Sequence, residues 1–445
     1  MRMTTLRSAC LMSGLVLGLA GCTGQIAGKP KADAAVSSTA GAGGTSVVGG
    51  SSSGGAAATL AVSAPGLAPV RRLTHIEYDN TVADLLGDTT APANAFSPDV
   101  AQNGFTNNAA ELTVSPALAE QYISAAEALS QTATKALTQL LGCDPAAVGE
   151  QICVQQFIID FGKRAWRRPL TADENARVLG VFSSARSGGL ALDVSVQLIV
   201  QVLLESPQFL YLLEASNPSL AAAPGSVVAL DSWQVASRLS YFLLGSLPDA
   251  ALFAEAEKGA LTTPEQVGAQ ARRLLALPRA RDRIALFFRE WLQLRNVDRL
   301  QKDATLYPNY NLALGPLMRQ QVELFATSVI LDHAGTETDL LTAPYTFMDA
   351  ELAPLYGVPA PTAPGFSRVD LDPTRRAGLL TQVGVMATLG HENQTDPVHR
   401  GKFVRERLLC ETVPPPPPNA NITPPVVTAT ATTRVRFTQH RADPA

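Results

Sequence analysis

The stretch Val70-Arg71-Arg72-Leu73-Thr74-His75-Ile76-Glu77-Tyr78-Asp79-Asn80-Thr81-Val82-Ala83-Asp84-Leu85-Leu86-Gly87 decides the fold class. Thr74 and Glu77 have the spacing of a capping box. In such a box the threonine hydroxyl takes a first-turn amide and the glutamate reaches back to the amide of the cap. Ile76, Val82, Leu85 and Leu86 recur at helical spacing and predict an apolar stripe. Gly87 supplies a stop, because glycine tolerates the left-handed conformation that ends helices. His75 reads as a surface residue of this helix.

The same grammar repeats outward from this stretch. A second helix is expected from about Ser115 to Leu140, and a third over Phe157 to Trp166. Arg167-Arg168-Pro169-Leu170 then leads to a second capping box, Thr171 with Glu174. The two arginines either bind an anion or sit at a helix C-terminus, where cations are favoured; the second reading is preferred. Val194 to Leu204 predicts a buried helix that Pro207 bends or ends. Val235, Leu239, Phe242 and Leu243 give another stripe. Thr263-Pro264-x-Gln266 combines an N-cap, a first-position proline and a box partner. Ile284, Phe288, Trp291 and Leu292, then Met318, Val322, Phe325 and Val329, continue the spacing and read as core. No alternation longer than a few residues appears before His391. The expected fold is therefore mainly α, with several consecutive helical domains.

Composition agrees. The chain has 445 residues, enough for two to four domains of about 100–200 residues each. The apolar fraction is 46% and the aromatic fraction 6%, with Leu and Ala abundant. Net charge is −4 with pI near 5.8, so no basic field invites nucleic acid.

The N-terminus carries its own signals. Arg2 and Arg7 precede the apolar run Leu11 to Ala20, too short to span a membrane as a mature helix and shaped as a signal peptide. Leu19-Ala20-Gly21-Cys22 resembles a lipobox, which implies cleavage before Cys22, lipid on Cys22 and anchoring of the protein to the membrane. Ordinary secretion with Cys22 incidental is the alternative. Thr23 follows in place of Asp, so nothing argues for retention at the inner membrane, and an outer-membrane lipoprotein, periplasmic or surface-facing, is expected. Residues 23–68 are rich in Gly, Ser, Ala and Thr and form a flexible, disordered linker. In an exported protein, Cys143 and Cys153 read as a disulfide around a short loop; free thiols, or a metal pair lacking partners, are the alternatives. Cys410 is either buried or paired with a cysteine outside this sequence.

Chemistry points to the C-terminal region. His391-Glu392-Asn393-Gln394-Thr395-Asp396-Pro397-Val398-His399-Arg400-Gly401-Lys402 precedes a basic segment ending at Cys410, five prolines from Pro414, and Gln439-His440-Arg441-Ala442-Asp443-Pro444-Ala445. His391 and His399 are eight apart, which is not the spacing of a zinc-binding helix, so no metal site is expected. Asn393, Thr395 and Asp396 read as a polar turn with Pro397 opening a helix, Arg400 in an ion pair and the histidines solvated. Arg405-Glu406-Arg407 reads as a solvated helix face, and the prolines as polyproline II. There is no Gly-x-Ser-x-Gly elbow and no phosphate loop.

Several long phrases resemble the planctomycete-type cytochrome-associated family, a multi-domain group of largely unknown function. They are RRLTHIEYDNTVADLLG from Arg71, FGKRAWRRPLTADE from Phe161, ASRLSYFLLGSLPD from Ala236, FFREWLQL from Phe287, PVHRGKFVRERLLC from Pro397, PPPPPN from Pro414 and QHRADPA from Gln439. His75 departs from the family's usual Arg, and Asp396 from its frequent Ser. The resemblance implies that the last phrase runs into Cys-x-x-Cys-His, the attachment motif of c-type haem. No such motif lies in this sequence, so haem c is expected in full-length relatives only. His391 or His399 would then be a distal axial ligand or line a haem pocket.

The expected organisation is a lipoprotein signal peptide at 1–22, a linker at 23–68, helical domains at 69–140, 141–215 and 226–358, and a cytochrome-associated domain at 370–445 truncated before the haem motif. The expected function is an exported lipoprotein in extracytoplasmic electron transfer or redox chemistry, with a cytochrome or other redox partner. The alternative is a non-catalytic binding or scaffold lipoprotein without haem. Whether the chain is an enzyme, and on what substrate, the sequence leaves open.

Overall fold

A computed structural model describes residues 69–213, 227–418, 426, 428 and 430–442. The signal peptide, Cys22 and the linker 23–68 lie outside the described residues. The described part is mainly α, with two two-stranded antiparallel ribbons. Among the described residues no helix is long and apolar enough to cross a membrane.

Strand β1 (Arg71–Arg72) leads into α1 (His75–Leu86), where both arms of the Thr74–Glu77 capping box form and Gly87 closes the helix at φ 74°. The buried face of α1 is Glu77, Tyr78, Thr81, Val82 and Leu85, so Ile76 points outward and the expected stripe is rotated. Tyr78 sets this rotation. Its ring packs edge-on against Phe96 and Phe209 and lies beside Tyr122. A large ring in a packed pocket gains more than an isoleucine in the first turn.

Helices α2 (Pro116–Ala133), α3 (Glu150–Trp166), α4 (Ala172–Ser187) and α5 (Leu192–Glu205) follow, and β2 (Tyr211–Leu212) returns to pair with β1. Helix α5 packs against α2, α3 and α4. Segments 69–140 and 141–215 therefore share one core, in which Val82, Tyr122, Phe157, Ile199 and Phe209 meet, and are not separate bodies. Helix α3 starts earlier than Phe157: Gly149 precedes it within the loop closed by the Cys143–Cys153 disulfide, whose Cα atoms are 5.9 Å apart. Arg167 ends α3 in the left-handed region. Its guanidinium is buried and donates to the carbonyls of Gln208, Phe209 and Tyr211 at 2.5–3.2 Å. Arg168 pairs with Glu174 at 2.8 and 2.9 Å. Both arginines are committed within the fold, in line with the preferred reading.

The next layer is α6 (Ser232–Leu243), α7 (Ala250–Glu257), α8 (Pro264–Leu275), α9 (Pro278–Trp291) and α10 (Leu314–Thr327), which continues in a π turn to Asp332. In α6 the buried positions are Ser232, Ala236, Ser240 and Tyr241, and Phe242 is 71% exposed, against its expected place in the core. The Tyr241 hydroxyl explains this: it meets Thr81 Oγ1 at 2.8 Å and accepts from Arg167 at 3.4 Å, turning the adjacent Phe242 outward.

Strands β3 (Tyr345–Met348) and β4 (Ser367–Asp370) form a hairpin-like pair in register Tyr345↔Asp370, four residues each and too short to show alternation. Helices α11 (Val383–Thr388), α12 (Pro397–Phe403) and α13 (Thr433–Ala442) complete the described chain. They do not form a separate core. Val385 and Phe403 pack with Phe325 and Val329 of the preceding layer, and Val383 packs with Met318 and Leu352. Gly384 makes this possible, because a Cβ there would stand 2.6 Å from the Met318 carbonyl oxygen.

Candidate functional site

Close approach of α11 to α10 leaves a cleft of about 850 Å³ beside them. Met318, Leu380, Val383, Met386 and Ala387 give it an apolar floor, and residues of the loop from Lys302 to Tyr310, with Arg375 and Arg376, also line it. His391, Gln394, Asp396 and Arg400 close its mouth. Volume and lining are those of a small-molecule site.

The mouth is built by a tight turn. Gly390 and Thr395 form an isolated bridge, and the His391 amide donates to the Gln394 carbonyl at 2.9 Å. Lys302 Nζ donates to the His391 carbonyl at 2.7 Å. Burial pushes the Lys302 ammonium down from its ordinary value, opposed by Glu392. Asp396 then caps α12: its Oδ1 accepts the His399 amide at 3.0 Å, and Pro397 occupies the first helical position.

This turn cancels the eight-residue separation. His391 Nε2 lies 2.9 Å from Asp396 Oδ2, and His399 Nδ1 reaches the same oxygen. The three ligand-type atoms all lie within 4.8 Å of one another. Asp396 is buried, and both histidines are exposed. Burial by itself would raise the Asp396 carboxyl, but the His399 amide and ring and the charge of His391 outweigh it and hold the carboxyl below its ordinary range. The expected polar turn and the helix starting at Pro397 are both present. The histidines are exposed, as expected, yet each is tied to the carboxylate. Arg400 lines the cleft, and among the described residues it forms none of the ion pairs expected of it.

Arg436 of α13 donates to Gln394 Oε1 at 3.0 Å, which fastens the C-terminal helix to the histidine turn. The side chain of His440 is outside the described residues. Four family models match this chain: PSD3, protein of unknown function (DUF1587), at residues 71–135; PSD5 (DUF1595) at 153–214; PSD4 (DUF1592) at 230–358; and PSCyt3 (DUF1588) at 376–445, the last containing the histidine turn. The chain belongs to the planctomycete-type cytochrome-associated family. No curated protein and no solved structure matches it.

The other sequence-derived positions of this family member fall as follows. Cys143 and Cys153 are bonded, and Cys410 is an exposed free thiol. His75 is largely buried, not on the surface, with its Nε2 3.3 Å from Asp99. Burial pulls its imidazole below the ordinary value, against the raising effect of Asp99. Arg407 is held through its carbonyl by Trp291 Nε1 at 3.1 Å, so the 405–407 face is only partly solvated. Sequence reasoning missed Asp396 as the focus of the cluster, and Lys302 as its brace. The first had a signal: an Asp directly before a Pro is a helix-start pattern, which places Asp396 beside the amide and ring of the residue three later.

Proposed function

We propose that this chain is an exported lipoprotein, anchored at Cys22, which holds a small substrate for extracytoplasmic redox chemistry in a c-type cytochrome system. The observation that carries this reading is the cleft at the edge of the PSCyt3-matched residues, with an apolar floor and a cationic rim. Such a lining suits a partly apolar molecule bearing an anionic group. The disulfide Cys143–Cys153 agrees with an oxidising compartment.

The family name raises the question of haem. The rings of His391 and His399 lie 6.0 Å apart and nearly perpendicular, both turned to one carboxylate oxygen. They do not fit as a pair of axial ligands on opposite faces of one porphyrin. The sequence also has no Cys-x-x-Cys-His. In this reading a cytochrome partner takes part through its haem, and the residues of this cleft bind and orient the substrate: Arg375 and Arg400 toward its anionic group, Met318 and Met386 against its apolar part.

The scaffold reading rests on a different surface. Phe242 and Phe287 are exposed, and Arg283, one turn before Phe287, donates to the Phe242 carbonyl at 3.3 Å. Affinity isolation of the protein from detergent-solubilised membranes, followed by haem staining and a visible spectrum, separates the two. The redox reading expects a co-isolated c-type haem band with Soret absorption. A haem-free isolate, or protein recovered wholly in the soluble cytoplasmic fraction, overturns it.

A further inference from the structure

We propose that His391, Asp396 and His399 form a mononuclear site for a divalent first-row transition ion, opening on the cleft. This site stands independently of the redox reading above.

Two imidazole nitrogens and one carboxylate oxygen converge, all within 4.8 Å of one another. An ion at the focus would satisfy three lone pairs at once. The donor set is borderline in softness and suits zinc or ferrous iron over calcium or magnesium, which favour all-oxygen shells. In a tetrahedral site with metal–ligand bonds of about 2.0–2.1 Å, ligand atoms stand roughly 3.3 Å apart. His391 Nε2 and Asp396 Oδ2, at 2.9 Å, need to separate by a few tenths of an ångström, and the exposed His399 ring, closer to the same oxygen, must swing back further. The exposed rings leave room for that adjustment.

The supports around the ligands are already in place. Asp396 Oδ1 is occupied by the His399 amide, which leaves Oδ2 for the ion. The His391 backbone is held at both polar atoms, by Lys302 and by Gln394. Outer hydrogen bonds of this kind fix ligand orientation. Three protein ligands leave at least one coordination position for water or substrate, the arrangement of a catalytic rather than a structural ion. His391 and Asp396 both line the cleft, so the ion would stand at its edge.

The test is titration of the exported, tag-free chain with Co(II) after chelator treatment, followed by visible absorption. One equivalent is expected to bind with the intense bands of low-coordinate Co(II), and Zn(II) is expected to displace it. His391→Ala and His399→Ala are each expected to weaken binding by at least about tenfold, with the helical circular dichroism unchanged. Should His391→Ala misfold, His399→Ala decides, because that side chain is exposed on α12. Cys410→Ser is expected to leave binding intact. Absence of Co(II) binding, wild-type affinity in the folded histidine variants, or loss of binding in Cys410→Ser each overturns the site.

Discussion

Two carboxylates in this molecule each gather two basic side chains, with opposite exposure. Glu77, in α1, is fully buried and takes Arg71 at 2.6 and 2.9 Å, Arg283 at 3.3 Å and the Thr74 amide at 3.0 Å. Its partners are themselves mostly covered. Asp396, before α12, is nearly as buried, but its partners His391 and His399 are 47% and 66% exposed at the side chain. Both carboxylates serve a helix start. The first is sealed by permanent cations that never leave it, because arginine does not deprotonate in proteins. The second is held by imidazoles that stand in solvent and whose ring nitrogens can also bind a metal ion. A sealed cluster joins elements; an open one with exchangeable partners is equipped for ligands.

The largest expected effect falls on the sealed cluster. Burial alone would raise the Glu77 carboxyl, but Arg71, Arg283 and the Thr74 amide keep it ionised and below its ordinary range. Glu77→Ala leaves Arg71 and Arg283 without that counter-charge and removes one arm of the capping box. A loss of about 3–5 kcal/mol is expected, measured by chemical denaturation. A loss under about 1 kcal/mol would mean that the network holds nothing together.

Glu174 lies between the extremes, paired with Arg168, whose side chain is a quarter exposed. The Arg168 hydrogen bonds, aided by the Thr171 amide and opposed by burial, hold its carboxyl at about 2, against an ordinary 4.5. A depressed carboxylate contributes stability that is full above its unfolded value and is lost as pH falls through the folded one. Glu174→Gln is therefore expected to cost about 1–2 kcal/mol at pH 6, with the gap from wild type closing as pH falls from 4.5 toward 2. A gap constant across that window would contradict the pairing.

How much of this was legible follows the range of the interactions. The Thr74–Glu77 and Thr171–Glu174 boxes were readable because capping is a local matter of three residues. Faces were less readable. Ile76 and Phe242 satisfy helical spacing, yet Tyr78 and Tyr241 decide which way their helices turn, through partners such as Phe209 and Thr81 that lie more than a hundred residues away. That successive segments share cores, as Phe403 does with Phe325, was not readable from composition. At the candidate site, spacing along the chain misled: His391 and His399 suit no single helix face, and only the Gly390–Thr395 bridge folds them onto Asp396.

The smallest effect is expected at the open cluster. His399→Ala removes an exposed ring but keeps the backbone amide that Asp396 caps. Its stability is expected to stay within about 0.5 kcal/mol of wild type. A loss comparable to that of Glu77→Ala would make the cluster another structural joint and erase the contrast.

The contrast is tested most directly by anomalous diffraction at the zinc edge from crystals of the protein grown with Zn(II). The account predicts an anomalous peak bounded by His391, Asp396 and His399, with none at Glu77. A well-ordered histidine turn without a peak, or zinc found only at Cys410, would contradict it.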